Sequence, residues 1–179
     1  AGVDSSDDYG VARPYLTTEF AQQWVPEVQT RIYSETARIT RGEDNIYKVS
    51  IKQTARVDER GLVTSFINAP APTPETFEMI QEGGEWRIRN CPNGLWIDGS
   101  EFDRSFKSYR LYYYDPSYTY AVPDLRWFAR SDEIFKILAQ TLIMGPANYL
   151  KESVFSATYE SMKVNGANFD AEKHTIKVD

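Results

Sequence analysis

The chain is poor in the residues that build metal and redox sites, with one cysteine (Cys91) and one histidine (His174) in 179 residues. A lone thiol excludes an internal disulfide and a cysteine-based zinc site, and a lone imidazole excludes a two-histidine metal site. Basic residues are also in deficit: 20 Lys and Arg stand against 26 Asp and Glu, for a net charge of −6. A nucleic-acid partner is therefore not expected, because phosphate contacts need clustered cations. No apolar run approaches the roughly 20 residues of a membrane span. Nor does the N-terminus carry a basic segment followed by an apolar one, as a signal peptide would. Ala1 is expected to begin a mature portion of a longer protein, and Asp179 to end the chain inside a domain.

What is abundant is aromatic: 12 Tyr, 9 Phe and 4 Trp. The stretch from Tyr109 to Leu150 concentrates them and carries the clearest punctuation. Tyr109 to Tyr114 is a β-forming run, Asp115-Pro116-Ser117 has turn chemistry, and Tyr118 to Val122 is a second β-forming run closed by Pro123. Ser131 and Asp132 then offer cap oxygens to a helix whose Ile134, Ile137, Leu138, Thr141 and Leu142 share one face. Gly145 suits a left-handed cap and Pro146 prevents continuation.

Upstream, helical segments are expected over 7–13, broken by Pro14, and over 18–24, capped by Thr17 and ended before Pro26. From residue 28 the period becomes two. Strands are expected over 31–34, 37–40, 46–53 and 62–67, with polar turns between them. The Ala/Pro stretch 69–74 is expected to be an intra-domain loop. Gly83-Gly84 marks a hairpin between 76–82 and 85–89, Asn93-Gly94 a turn, and 100–106 a helical turn pairing Phe102 with Phe106. Beyond residue 150 a short helix over 147–153, strands over 157–164 and 167–169 joined at Asn165-Gly166, and a strand from His174 to Val178 are expected.

Two segments resemble a known family. Leu111-Tyr112-Tyr113-Tyr114-Asp115-Pro116, Val122 to Phe128, Leu142-Ile143-Met144-Gly145-Pro146 and Tyr149-Leu150 resemble the GerMN domain. Ala12-Arg13-Pro14-Tyr15-Leu16-Thr17 with Trp24, then Trp86-Arg87-Ile88-Arg89, Pro92-Asn93-Gly94-Leu95, Phe102 and Phe106, resemble the N-terminal domain of LpqB-family lipoproteins of actinobacteria. Pro14 and Asn93 depart from the family pattern. The resemblance implies an extracytoplasmic protein held at the membrane by a lipid anchor outside this chain. It also implies a C-terminal β-propeller in the full-length protein and, as partner, the extracellular domain of the sensor histidine kinase of the MtrAB two-component system.

The expected fold is α+β in two small domains, 1–106 and 107–179, each a curved, mostly antiparallel sheet with helices on one face. The first is expected to be cystatin- or nuclear-transport-factor-like, the second GerMN-like and incomplete. No catalytic residue, cofactor or metal is assigned. His174 is weighed as a surface residue against a pH sensor, and Cys91 as a small core residue against a reactive thiol. Asp7/Asp8, Glu43/Asp44 and Asp58/Glu59 are weighed as acid/base dyads or calcium ligands against solvated turns, which their turn-like, exposed setting without an EF-hand interval favours. The candidate partner or interdomain surface is Tyr112, Tyr113, Tyr114, Tyr118 and Tyr120; alternation sends half of a strand's side chains inward, so only part of this group can face a partner. The alternative to an interaction module is a small-ligand binder or enzyme using the concave face of the N-terminal sheet, or a spacer for the propeller.

Overall fold

In the computed structural model, which describes residues 9–68, 71–159 and 161–178, Thr17 caps the first helix as its position suggests. Its hydroxyl accepts the Phe20 N–H at 3.2 Å, and α1 runs Thr18–Gln23. Of the helix expected over 7–13, the described residues 9–12 form turns that lead into a 3-10 turn at Arg13–Tyr15, which Pro14 helps to start rather than break. Asp4 to Asp8, and with them the Asp7/Asp8 pair, lie outside the described residues, as do Ala69 and Pro70 of the connector.

Contacts divide the chain into Ala1–Phe106 and Lys107–Asp179. In the first unit, β1 (Gln29–Tyr33), β4 (Gln53–Asp58), β5 (Val63–Ser65) and β8 (Leu95–Asp98) form a sheet ordered β5-β4-β1-β8. A second sheet, ordered β2-β3-β6-β7, contains β2 (Arg38–Arg41), β3 (Ile46–Ser50), β6 (Glu75–Glu82) and β7 (Glu85–Asn90). Pairing is antiparallel except between β1 and β8. The class is α+β with mostly antiparallel sheets.

The single alternating run expected over 46–53 is interrupted at Ile51-Lys52, and its halves enter different sheets. Ile51 turns into the core, while Lys52 reaches the Glu35 carboxylate at 2.6 Å. A period of two specifies which side chains are apolar, not which strand they pair with. The hairpin at Gly83-Gly84 joins β6 to β7 as expected.

Gly94 has the strictest local requirement. Its φ is +98°, and a Cβ there would lie 2.5 Å from the Gln29 carbonyl oxygen. Its N–H donates to the Val25 carbonyl at 3.0 Å, and the Asn93 side-chain oxygen accepts the Val25 N–H at 3.0 Å. The Asn93-Gly94 turn thus sets β8 beside β1. Asp98, at the end of β8, caps α2 (Gly99–Ser105) by accepting the Glu101 N–H at 2.9 Å. The Phe102 and Phe106 rings sit 4.9 Å apart, as their spacing predicts. Leu16, Trp24, Ile32, Val57, Leu95, Ile97 and Phe102 are among this unit's core residues.

In the second unit, β9 (Phe106–Tyr114) pairs with β10 (Ala121–Ala129), followed by α3 (Ile134–Ile143). The second strand therefore begins three residues later than expected and passes through Pro123 instead of ending there. A two-stranded sheet tolerates a proline because each strand has an unpaired edge. The helix opens at Ile134; Ser131 still assists, its hydroxyl accepting the Glu133 N–H at 3.1 Å. Gly145 adopts φ 87° after the last turn, as a left-handed cap requires. Leu138, Leu142, Val122 and Leu150 pack against buried Leu111, Tyr113 and Val154.

Beyond residue 150 the sequence expectations fare less well. Residues 148–153 are turns rather than a helix, and 157–164 form no strand among the described residues. Phe155 makes an isolated bridge with Tyr114. The hairpin there is β11 (Ala167–Asp170) with β12 (Thr175–Val178), so Asn165-Gly166 precedes it rather than turning it. The turn belongs to residues 171–174, where the Asp170 carboxylate accepts the Glu172 and Lys173 N–H groups, each at 3.1 Å.

Candidate functional site

The tip of the β9–β10 hairpin is organised by one carboxylate. Asp115 accepts the backbone N–H groups of Thr119 at 2.9 Å, Tyr120 at 2.8 Å and Ser117 at 3.2 Å, and bonds the Ser117 hydroxyl. These bonds, the Ser117 hydroxyl first, lower its pKa to about 2. The carboxylate closes a loop over 115–120 that the two-strand reading did not anticipate. Tyr118 and Tyr120 consequently lie in a loop, not on a strand, and Tyr118 takes a left-handed φ of 56°. A bulky residue rarely adopts that conformation without surroundings that impose it.

The five candidate tyrosines separate by position. Tyr112, Tyr114, Tyr118 and Tyr120 are exposed, at 55%, 41%, 62% and 70%. Tyr113 is 1% exposed and belongs to the core, so it leaves the candidate surface. Alternation along β9 accounts for this split. The sequence reading missed Phe155. Its ring stacks on Tyr118 at 5.7 Å, Tyr118 lies 5.8 Å from Tyr114, and Phe155 and Tyr114 exchange backbone hydrogen bonds of 2.7 and 2.8 Å. The result is a three-ring exposed cluster fixed by backbone as well as by stacking.

The same unit holds an ion pair that the sequence reading also passed over. Asp124 and Arg126, two apart on β10, both point inward and are fully buried. Arg126 Nε and Nη2 donate to the two Asp124 oxygens at 3.1 and 2.7 Å. The same carboxylate accepts the Ala147 N–H at 2.8 Å and the Tyr149 hydroxyl at 3.3 Å. Desolvation, then the neighbouring Asp124 charge, raises the Tyr149 pKa. This pair ties β10 to the chain that leaves α3. Charged residues at i and i+2 facing a core were the available signal.

The first unit contains a cleft of about 500 Å³. Its walls include Tyr15, Leu16, Trp24, Tyr33, Phe77, Ile88, Leu95, Trp96 and Ile97, with Cys91 beside them and Asp98 and Glu101 as the acidic members. Phe77 and Trp96 meet edge to face at 5.5 Å. Trp24 is held by the edge of Tyr9 at 6.1 Å and by the Arg13 guanidinium at 5.7 Å. Arg31 lies 5.3 Å from the centre of the Trp96 ring and bonds Glu75 at 2.6 Å. Hydrogen bonds from Ser105 and Arg104 lower the Glu101 pKa. Burial pushes the Cys91 thiol up to about 11.

The remaining candidates have plain structural places. Asp44 lies in the turn before β3, and Asp58 accepts the Arg60 and Leu62 N–H groups, each at 2.9 Å. His174 closes the β11–β12 turn with φ 51°, just before the strand it was expected to open. Among the described residues, no three His, Cys, Asp or Glu side chains come together as a metal site, and no helix is long and apolar enough to cross a membrane.

Comparison with known proteins places these features in a lineage. The family model described as "Lipoprotein LpqB, N-terminal domain" matches residues 1–103; the match stops short of the GerMN-like stretch. Lipoprotein LpqB of Nocardia farcinica is 30% identical over 150 residues, covering 82% of this chain and 24% of the relative. That of Mycolicibacterium smegmatis is 29% identical over 173 residues, covering 93% and 29%, and that of Rhodococcus opacus 26% over 182 residues, covering 99% and 30%. The chain thus spans less than a third of the length of these curated relatives. No solved structure matches it. With the N-terminal domain model matching more than half of its length, the chain belongs to the LpqB family of actinobacterial lipoproteins.

Proposed function

We propose that this chain is a non-catalytic, extracytoplasmic interaction module of a cell-envelope lipoprotein, and that its aromatic hairpin tip docks on the extracellular domain of the MtrAB sensor kinase. The carrying observation is the exposed Tyr114–Tyr118–Phe155 cluster, held in one geometry by the Asp115 loop. Aromatic side chains anchor protein interfaces because they bury large areas and lose little conformational freedom. A rigid tip avoids much of the ordering cost of association. The left-handed Tyr118 adds weight, since strain is retained where a side chain's placement serves a purpose. Family membership supports the envelope location, with a lipidated N-terminus in the full-length protein as its anchor.

The ionisable groups lining the N-terminal cleft favour the non-catalytic reading. Glu101 is held ionised and Cys91 is held as the neutral thiol, so neither is tuned as a general acid or a nucleophile near neutral pH.

The test is calorimetric titration of the kinase extracellular domain with the chain and with Tyr118→Gly. Glycine accepts the positive φ, so the substitution removes the ring without straining the loop. Saturable binding at micromolar concentration, weakened about thirtyfold or more by Tyr118→Gly as for an interface anchor, is expected. Absence of binding, or binding indifferent to Tyr118 and Phe155 substitution, would sink the proposal.

A further inference from the structure

The cleft of the N-terminal unit is not used by that interaction, and its walls have a chemistry of their own. We infer that it binds a small hydrophobic molecule with a neutral or cationic polar end, its apolar body lying between Trp24, Phe77 and Trp96.

Three independent observations carry this. The volume, about 500 Å³, falls in the range of small-ligand sites, which are mostly apolar with a few placed polar groups. Next, two aromatic walls are held in place from outside the lining: the Tyr9 ring and the Arg13 guanidinium fix Trp24, and the Arg31 guanidinium fixes Trp96. Ligand sites are usually largely pre-formed in this way. Finally, the charge of the lining selects against anions. Asp98 and Glu101 are its acidic members, Asp98 engaged as the α2 cap and Glu101 with Arg104, whereas no Lys, Arg or His is among the lining residues. The Arg13 and Arg31 guanidinium groups support the Trp24 and Trp96 rings without belonging to the lining. A carboxylate or phosphate brought inside would be desolvated with no cation to meet it. A neutral end loses little, and an ammonium end gains from carboxylates and aromatic faces.

Cys91 makes the site directly testable. It is the only thiol in the chain and lines the cleft, so every alkylation event reports from there. The 179-residue chain is titrated below the micelle concentration with dodecyl maltoside, dodecyltrimethylammonium and dodecanoate. Tryptophan emission and the rate of Cys91 alkylation by N-ethylmaleimide are followed. The first two probes are expected to saturate and to slow alkylation about tenfold, as for a thiol closed inside a ligand site. Dodecanoate should bind about tenfold more weakly, because its charge is buried unpaired. Ala12 also lines the cleft, and Ala12→Trp, which fills it from that wall, should abolish saturation while the chain still unfolds in one urea transition. If that variant fails to fold, Cys91 protection in the parent chain decides alone. The inference is overturned if neither probe saturates, if saturation leaves the Cys91 rate unchanged, or if dodecanoate binds as well as the others. It does not rest on the kinase interaction and can fail or stand without it.

Discussion

In the N-terminal unit Trp24, Phe77 and Trp96 turn toward a shared cleft, whereas in the C-terminal unit Tyr114, Tyr118 and Phe155 stack in the open. The cleft takes its rings from the end of α1 and from β6 and β8, the tip from β9, the 115–120 loop and the segment at Phe155. What separates them is the support beneath. The cleft is walled by apolar side chains from several elements, with arginines placed on its indoles. The tip rests on polar chemistry, a carboxylate gathering backbone N–H groups, and elsewhere in the unit a buried ion pair ties β10 to the chain after α3. Apolar walls enclose space, while a directional hydrogen-bond network can hold aromatic rings in water at one fixed position.

The sharpest way to break this contrast is at the buried pair. Asp124→Ala removes the buried carboxylate shared by Arg126, the Ala147 N–H and Tyr149, and should cost about 3–5 kcal/mol. Urea unfolding followed at Trp127 measures it. Replacing both partners with leucine and methionine should recover most of the loss, and a single-substitution cost below about 1 kcal/mol would show that the pair does not support the hairpin.

In the N-terminal unit the corresponding weak point is backbone rather than charge. Gly94→Ala places a Cβ against the Gln29 carbonyl oxygen at a φ of +98°, so a loss of about 2–3 kcal/mol is expected. The urea transition monitored by near-ultraviolet dichroism checks it, and an unchanged midpoint would mean that β8 is not positioned by this turn.

Removing the Asp98 cap tests a smaller element of the same unit. Asp98→Ala should cost about 1 kcal/mol, seen as a lower thermal midpoint, while Asp98→Asn should keep most of the stability.

The smallest effect concerns pH and sharpens the description of the tip. The Asp115 pKa is lowered from 3.8 to about 2 in the folded chain. A depressed folded-state value means that its stabilisation is complete above the unfolded value and fades as pH falls from about 4 toward about 2. Carboxyl carbon resonances should titrate with a midpoint near 2. A midpoint near 3.8 would mean that the loop hydrogen bonds do not persist in solution.

Legibility of the sequence followed the range of the interactions involved. The cap at Thr17, the Phe102–Phe106 pair, the Gly83-Gly84 hairpin and the Gly145 stop were readable because each depends on residues a few positions apart. Alternation along β9 correctly sends Tyr113 inward and Tyr112 outward. The strand boundary at Ala121 was misplaced because the Asp115 side chain outcompetes strand propensity for the next few backbone N–H groups. The helix expected over 147–153 was misread because Ala147 and Leu150 are buried or half-buried from irregular turns, Leu150 against the core. The strand over 157–164 was misread because Tyr159 and Met162 lie exposed with no strand partner among the described residues. The cleft had no sequence signature, since its walls come from positions as far apart as Tyr15 and Ile97.

By itself, then, the sequence determined the α+β class, the Thr17 cap, the Gly83-Gly84 turn, the Gly145 stop and the family motifs from Ala12 to Phe106, because backbone sterics and short-range hydrogen bonds act within one or two turns of chain. Only the tertiary structure decided that the 46–53 run divides between two sheets, that Asp124 and Arg126 neutralise each other in the interior, and that aromatic rings enclose a cleft in one unit and stand outward in the other. Those outcomes depend on which distant segments meet, and a pattern of period two or 3.6 leaves the partner unspecified.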